Sequence, residues 1–322
     1  MESLKYENQI SKGSNFDEQW EHPENVKVFG ENKSFDVYDI SPEENKQKTK
    51  IPLVVGLGWG EIPESGKKHI KYWVEHGRRV IVPDAPHGIS AESIEGYPSI
   101  EIEKMSALIE TLKSKGIEIK EDGTSSGKVD LMGRSEGAIF SILLAYLYPE
   151  LVNNLILENP AGLTGKINMG TFAVRWMSLM KQQIMNEYKE TGVQPEDYLG
   201  EVLGRDFSKS MESVLAISKA DVREMLKEIK INGIGISVIA TTEDKFFPIE
   251  KLAGTVEPEP LSVTGKEKIM PELTAEHVDG FYSMHGSHNS YFFEPEKFAM
   301  VIDQGLDALE AKKKKEEETK SI

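Results

Sequence analysis

A serine between two glycines stands where a nucleophile would be exposed. Residues 133–137 read Gly-Arg-Ser-Glu-Gly and join a short apolar run to a helix-like run that begins at Ala138. A serine on a sharp strand-to-helix turn presents its hydroxyl clear of the backbone, and glycines two positions before and after it allow the crowded turn to close. The pentapeptide alone is equally consistent with a chance sequence in a loop, so its meaning depends on the surrounding elements.

Short apolar runs and helix-like segments alternate around this serine. The runs are typical of buried parallel strands and cover residues 51–57, 79–83, 128–133, 152–157 and 235–241. The helix-like segments cover residues 67–76, 100–115 and 138–148. The alternation predicts an α/β fold with a right-handed, doubly wound and mostly parallel sheet. A period-two pattern at residues 26–29 and 35–38 predicts an antiparallel hairpin at one sheet edge.

One long segment interrupts the alternation. Residues 161–231 have helical periodicity and no convincing strand, which predicts a helical cap inserted into a core made of residues 22–160 and 232–311. We predict a polar N-terminal arm at residues 1–21 and a charged C-terminal tail at residues 312–322.

Large apolar side chains in the predicted cap stand at mostly helical spacing. They include Phe172, Trp176 and Met180. Such a stripe is more often ordinary helix packing than a ligand-binding surface, and both interpretations remain open. If the cap covers the serine, these three side chains are the predicted lining of an apolar substrate site.

From about Val26 to about Leu309 the chain resembles the α/β-hydrolase family, and the turn at 133–137 is the most specific part of the resemblance. Four other segments resemble motifs of that family, in the order in which the family uses them. They are an oxyanion loop at 54–60, an Asp-x-Pro-Gly-x-Gly-x-Ser loop lacking one residue at 82–90, an acid-bearing strand and turn at 238–248, and a histidine loop at 286–289.

The resemblance implies a catalytic triad of Ser135, Asp244 and His288, which occur in the chain order that the fold requires. In such a triad the imidazole takes the proton of the serine hydroxyl as the oxygen attacks. The carboxylate holds the ring in the required tautomer and stabilises the imidazolium.

Two other acids remain open. Glu243 is adjacent to Asp244, and Glu158 lies at the carboxyl end of a predicted strand, where this fold also places acids. His285 precedes His288 by one helical turn, but two histidines without a third ligand are weak evidence for a metal site. We predict no metal and no cofactor.

The resemblance also implies that the backbone N–H groups of Trp59 and Glu136 form the oxyanion hole. Leu57 stands where the family's oxyanion loop usually has a histidine, and we predict that it lines the substrate site. Glu136 is unusual, because a carboxylate pointing inward would oppose a developing oxyanion. We therefore predict that its side chain points toward the cap or toward a basic group.

Composition restricts the partners. The 322 residues carry a formal net charge of −16, which argues against nucleic acid and against anionic membrane. The sequence has no cysteine, so disulfides and thiolate metal sites are impossible. The start of the chain lacks the pattern of a signal peptide and no apolar stretch is long enough to span a bilayer, which predicts a cytoplasmic protein. The sequence leaves the oligomeric state undetermined.

Two functions remain open. The first is a serine hydrolase that cleaves a carboxylic ester, a thioester or a small amide of a mainly apolar small molecule through an acyl-enzyme on Ser135. The second is a non-hydrolytic protein of the same fold, such as a lyase, a perhydrolase or a small-molecule receptor, because a fold does not fix a function. Leu57 and Glu136 are the residues that favour the second interpretation.

Overall fold

An eight-stranded sheet forms the centre of the computed structural model, which describes residues 16–28, 32–84, 94, 97–178, 181, 207–253 and 276–320. The strands are β1 (Glu24–Lys27), β2 (Ser34–Ile40), β3 (Leu53–Gly56), β4 (Val80–Pro83), β5 (Val129–Arg134), β6 (Val152–Glu158), β7 (Gly235–Thr241) and β8 (Gly280–Met284). Their order in the sheet is β1-β2-β4-β3-β5-β6-β7-β8. β2 is antiparallel to both β1 and β4. The six strands from β3 to β8 are all parallel to one another.

Helices connect the strands and cover both faces of the sheet. They are α1 (Phe16–Glu21), α2 (Pro63–Glu75), α3 (Ser99–Ser114), α4 (Gly137–Leu147), α5 (169–178), α6 (Phe207–Lys219), α7 (Met225–Ile231), α8 (Ile249–Ala253), α9 (Ser290–Phe293) and α10 (Pro295–Lys320). Two short 3-10 helices are Glu44–Lys46 and Pro149–Leu151. The predicted doubly wound, mostly parallel α/β sheet is therefore confirmed.

The burial of the strands explains their sequences. Every residue of β3, β4, β5, β7 and β8 is buried, and burial on both faces explains the nearly continuous apolar runs of β3, β4, β5 and β7. The edge strand β1 buries only one of its four residues, and its partner β2 alternates in part. The predicted hairpin at the sheet edge is confirmed.

Hydrophobic side chains form two clusters. One contains apolar side chains of α3, α4 and α7, including Leu108, Leu143 and Leu226. The other contains apolar side chains of α1, α2 and α10, including Trp73 and Phe298. Two helical layers on a twisted parallel sheet thus bury the core on both sides, as the alternation of elements requires.

Three elements differ from the sequence-based expectations. Strand β8 was not among the five predicted runs, because its Gly-Phe-Tyr-Ser-Met sequence is short and contains a glycine and a serine. Helix α1 lies within the predicted polar arm, yet its Phe16 and Trp20 are buried against the sheet. Helix α7 lies within the predicted cap, yet its Leu226 and Ile229 are buried in the same cluster as α4.

The carboxyl ends of the parallel strands position the residues singled out above. Ser135 directly follows β5, Asp244 follows β7 by three residues, and His288 follows β8 by four. The loop with Leu57 and Trp59 begins where β3 ends. Because parallel strands present their carboxyl ends at one edge of the sheet, residues from distant parts of the sequence meet there.

Among the described residues, no helix has both the length and the apolar character needed to cross a membrane.

Candidate active site

Ser135 lies on a strained turn between β5 and α4. Its φ is 51°, in the left-handed region that non-glycine residues rarely adopt. The turn is tight, since a Cβ on Gly137 would lie 2.1 Å from the carbonyl oxygen of Gly56. Only glycine permits this approach of α4 to the end of β3. The backbone of Ser135 is held by a bond from its N–H to the carbonyl of Glu158, 3.0 Å, so the strained serine is fixed from the neighbouring strand.

Three of the predicted residues meet at this turn. His288 Nε2 lies 3.1 Å from Ser135 Oγ, and His288 Nδ1 lies 2.7 Å from Asp244 Oδ2. All three side chains are buried, with Ser135, Asp244 and His288 only 6%, 4% and 4% exposed. The arrangement places an acceptor nitrogen on the hydroxyl and a carboxylate on the far side of the ring, as a proton relay requires.

The carboxylate of Asp244 is itself oriented by the backbone. Its Oδ1 accepts the N–H groups of Phe246 at 2.7 Å and Phe247 at 2.9 Å, which leaves Oδ2 for the imidazole. The two phenyl rings stand against the imidazole of His288, with centroid distances of 5.7 and 5.4 Å. The loop of the acid is bonded to the loop of the histidine by the N–H of Glu243, which donates to the carbonyl of Gly286 at 2.8 Å.

The other two candidate acids have different partners. Glu243 is half-exposed and lies 3.8 Å from the exposed imidazole of His285. Glu158 is fully buried and pairs with Arg134 Nε at 3.0 Å. Burial raises the pKa of Glu158 to about 8, although Arg134 lowers it. Asp244 is therefore the carboxylate that contacts His288.

The loop after β3 lies beside the serine. A Cβ on Gly58 would stand 3.1 Å from the Cβ of Ser135, so the loop passes close to the serine at Gly58. Trp59 is the next residue of this loop. Within the part of the chain that the structure describes, the backbone N–H groups of Trp59 and Glu136 donate to no protein acceptor. Both predicted donors are thus on the two segments that flank the hydroxyl.

The side chain of Glu136 points toward a basic group. Its Oε1 lies 2.5 Å from Lys104 Nζ on α3, and Lys104 Nζ also donates to Ser213 Oγ on α6 at 3.1 Å. Glu101, one turn before Lys104, is completely buried beside it. Burial and the adjacent Glu136 carboxylate raise the pKa of Glu101 well above its ordinary value. The predicted direction of the Glu136 side chain is therefore confirmed.

Aromatic side chains from α5 border the site. The Phe172 ring packs edge-on against Phe246 at 4.9 Å, and the Trp176 ring lies 6.1 Å from that of Trp59. The side chain of Leu57 is partly buried and packs against the cluster of α2 and α10, and its predicted contact with substrate stays a prediction. Met180, the remaining predicted lining residue, lies outside the described residues, as do residues 85–90 of the Asp-x-Pro motif.

Sequence reasoning missed three residues that the structure brings to the site. Arg134 is buried directly before the serine, Glu61 accepts the N–H of Gly58 at 2.9 Å, and Phe246 contacts the imidazole. The one available signal was Arg134 itself, because a charged residue between a buried strand and a nucleophile must find buried partners. Nothing local in the sequence predicts that Glu61 is one of them.

No described group of three or more histidine, aspartate or glutamate side chains could hold a metal ion.

Comparison with known proteins gives structural likeness only. No protein-family model and no curated protein matches this sequence. An esterase from Thermogutta terrifontis is 14% identical over 89% of this chain and 99% of its own, with a TM-score of 0.61. A meta-cleavage product hydrolase from Pseudomonas fluorescens IP01 is 16% identical over 90% and 99%, with a TM-score of 0.59. A bromoperoxidase from Bacillus anthracis is 16% identical over 89% and 100%, with a TM-score of 0.57.

Proposed function

We propose that this chain, which has the α/β-hydrolase fold of those solved structures, is a serine hydrolase that cleaves a carboxylic ester, a thioester or a small amide. The observation that carries the proposal is the hydrogen-bonded series Ser135–His288–Asp244, with distances of 3.1 and 2.7 Å. Solved esterases and hydrolases of the same fold support the reaction class.

Each side chain of the series has one proposed role. His288 Nε2 takes the proton of Ser135 as Oγ attacks the substrate carbonyl, and Asp244 stabilises the imidazolium that forms. The imidazolium then gives its proton to the leaving group, which departs and leaves an acyl group on the serine. Water attacks that ester by the same route, with His288 again accepting and returning the proton.

Negative charge develops on the carbonyl oxygen during both attacks. The N–H groups of Trp59 and Glu136, which donate to no acceptor among the described residues, are the proposed donors to that oxygen. The Glu136 carboxylate does not oppose them, since its charge is paired with Lys104 at 2.5 Å. Preorganised donors of this kind typically contribute about 10²-fold or more each to the rate.

The substrate is proposed to be a mainly apolar small molecule. Phe172, Phe246, Trp59 and Trp176 form two aromatic pairs beside the relay. A site with such a lining favours an apolar acyl or alcohol group over a charged one.

A fluorophosphonate probe and p-nitrophenyl esters of increasing chain length test the proposal. We expect covalent labelling at Ser135 and turnover of at least one ester, with Ser135→Ala lacking both. A non-hydrolytic protein of the same fold, such as a lyase, a perhydrolase or a small-molecule receptor, is the second candidate, and the likeness to a bromoperoxidase supports it. Ligand-induced thermal stabilisation without labelling or turnover would favour that candidate and contradict the hydrolase.

A further inference from the structure

We infer that Arg134 is a positioning residue that holds the oxyanion loop and the histidine loop in register around Ser135. The inference rests on the proposed function, and it adds a residue to which the proton relay assigns no role. Arg134 is the last residue of β5 and is only 2% exposed. A guanidinium is planar and carries five donors in a fixed fork, so it can bind several acceptors at defined angles.

The first partner of Arg134 belongs to the oxyanion loop. Arg134 Nη1 forms an ion pair with Glu61 Oε1, and the other oxygen of Glu61 accepts the N–H of Gly58 at 2.9 Å. The N–H of Glu61 in turn donates to the carbonyl of Gly58 at 3.1 Å. The turn that carries Trp59 is therefore closed by a carboxylate whose own position depends on Arg134.

The second partner of Arg134 belongs to the histidine loop. Arg134 Nη2 donates to the backbone carbonyl of His288 at 2.9 Å. The guanidinium also lies over the rings of Tyr291 and Phe292, at 4.7 and 4.5 Å from their centroids. These contacts fix the backbone on which the imidazole is mounted and the first turn of the helix that follows it.

The charges around the guanidinium are consistent with a rigid unit. Glu61 and Glu158 both contact the guanidinium of Arg134. The negative charge of Asp244 further raises the pKa of Glu158. Burial raises the pKa of Glu158 to about 8, which disfavours the charged form of this carboxyl. The Arg134 charge is then balanced by Glu61, the carboxylate that binds the oxyanion loop.

The chain offers a matched control for a merely structural role. Arg78 is also a buried arginine, 1% exposed, and pairs with Asp303 and Asp307 of α10. It contacts neither of the two loops around Ser135. Replacing either arginine by methionine leaves buried carboxylates without their partner and is expected to lower stability. Only the change at Arg134 is expected to alter the reaction itself.

Kinetics on correctly folded enzyme separate the two roles. For Arg134→Met, and for the milder Glu61→Gln, we expect kcat to fall about 10²-fold with KM within a few-fold of wild type, because donors to the oxyanion act in the transition state. Rates are expressed per active site titrated with the fluorophosphonate. Arg78→Met should keep the wild-type kcat per active site. A wild-type kcat in Arg134→Met and Glu61→Gln, or an equal loss in Arg78→Met, would overturn the inference.

Hydrogen–deuterium exchange tests the positioning without relying on turnover. Arg134→Met should raise exchange in peptides covering residues 53–62 and 285–293 together, while Arg78→Met leaves both near wild type. Unchanged exchange in either peptide would contradict the coupling of the two loops, whatever the activity. If wild-type protein neither reacts with the probe nor cleaves an ester, the proposed function fails, and the exchange result still decides whether Arg134 joins the loops.

Discussion

The two residues that flank Ser135 carry opposite charges and lead to opposite faces of the sheet. Arg134 reaches Tyr291 and Phe292, on the side of α2 and α10. Glu136 reaches Lys104 on α3, on the other side. We call these the arginine flank (Arg134, Glu61, Glu158) and the glutamate flank (Glu136, Lys104, Glu101).

The flanks differ in what they connect. The arginine flank joins the oxyanion loop to the histidine loop, both of which surround the hydroxyl. The glutamate flank joins the turn at Ser135 and α3 to α6 in the insertion between β6 and β7, through Ser213. In both, a buried charge next to Ser135 is paired within its own flank. The charges of Arg134 and Glu136 therefore need not act directly on the oxygen of the substrate carbonyl. Because the two flanks connect different segments, replacing Arg134 and replacing Glu136 should lower activity by different amounts.

The largest effect is expected at the serine between the flanks. Ser135→Ala removes the nucleophile but leaves both networks intact, so hydrolysis should fall by about 10⁴-fold or more while the melting temperature stays near that of wild type. Release of p-nitrophenol and thermal unfolding measure the two quantities. Substantial turnover by this variant would show that Ser135 is not the nucleophile.

The second largest effect is expected at Asp244, the acid that contacts His288, and it is compared with that at Glu158, an acid of the arginine flank. Asn at position 244 would turn an N–H toward His288 Nδ1, which forces the wrong imidazole tautomer. We expect Asp244→Asn to lose roughly 10⁴-fold in kcat. Glu158→Gln, which removes a carboxyl that does not contact the imidazole, should lose far less. A greater loss from Glu158→Gln would make Glu158 the acid.

The glutamate flank should have a smaller effect on the chemistry. Glu136→Gln removes the charge paired with Lys104 but keeps the backbone N–H proposed as an oxyanion donor. We expect kcat/KM to change by less than about tenfold and the melting temperature to fall, since the ammonium of Lys104 loses its buried partner. Steady-state kinetics and calorimetry test this. A loss as large as that of Arg134→Met would remove the difference between the flanks.

Sequence patterns were sufficient for the sheet and for the relay. Continuous apolar runs marked five of the parallel strands, because strands buried on both faces must be apolar throughout. The order of Ser135, Asp244 and His288 then indicated residues that the fold brings within hydrogen-bond distance. Strand β8 escaped prediction, since its five residues include Gly280 and Ser283 and give no distinct period.

The flanks were only half predictable. That Glu136 turns toward a basic group followed from the cost of a carboxylate aimed at an oxyanion. The identity of Lys104 did not follow, because it depends on the packing of α3 against the turn at Ser135. The same holds for Glu61, which is separated from Arg134 by more than seventy residues and meets it only through the sheet. Local sequence carries no record of such distant pairs.

The last prediction concerns how the stability contributed by the arginine flank depends on pH. Glu158 has a folded-state pKa of about 8 against an ordinary value of 4.5, so the folded protein holds one proton that the unfolded chain releases between these values. The contribution of Glu158 to stability is complete below pH 4.5 and is lost as the pH rises through 8, with a slope of at most about 1.4 kcal/mol per pH unit. Glu158→Gln should flatten this decline in urea unfolding measured from pH 5 to 9. Glu243→Gln provides the control, since it replaces an exposed glutamate near the site that is not among the groups raising the pKa of Glu158. An equally steep decline in Glu158→Gln would place the proton elsewhere, with Glu101 of the glutamate flank as the next carboxyl to replace.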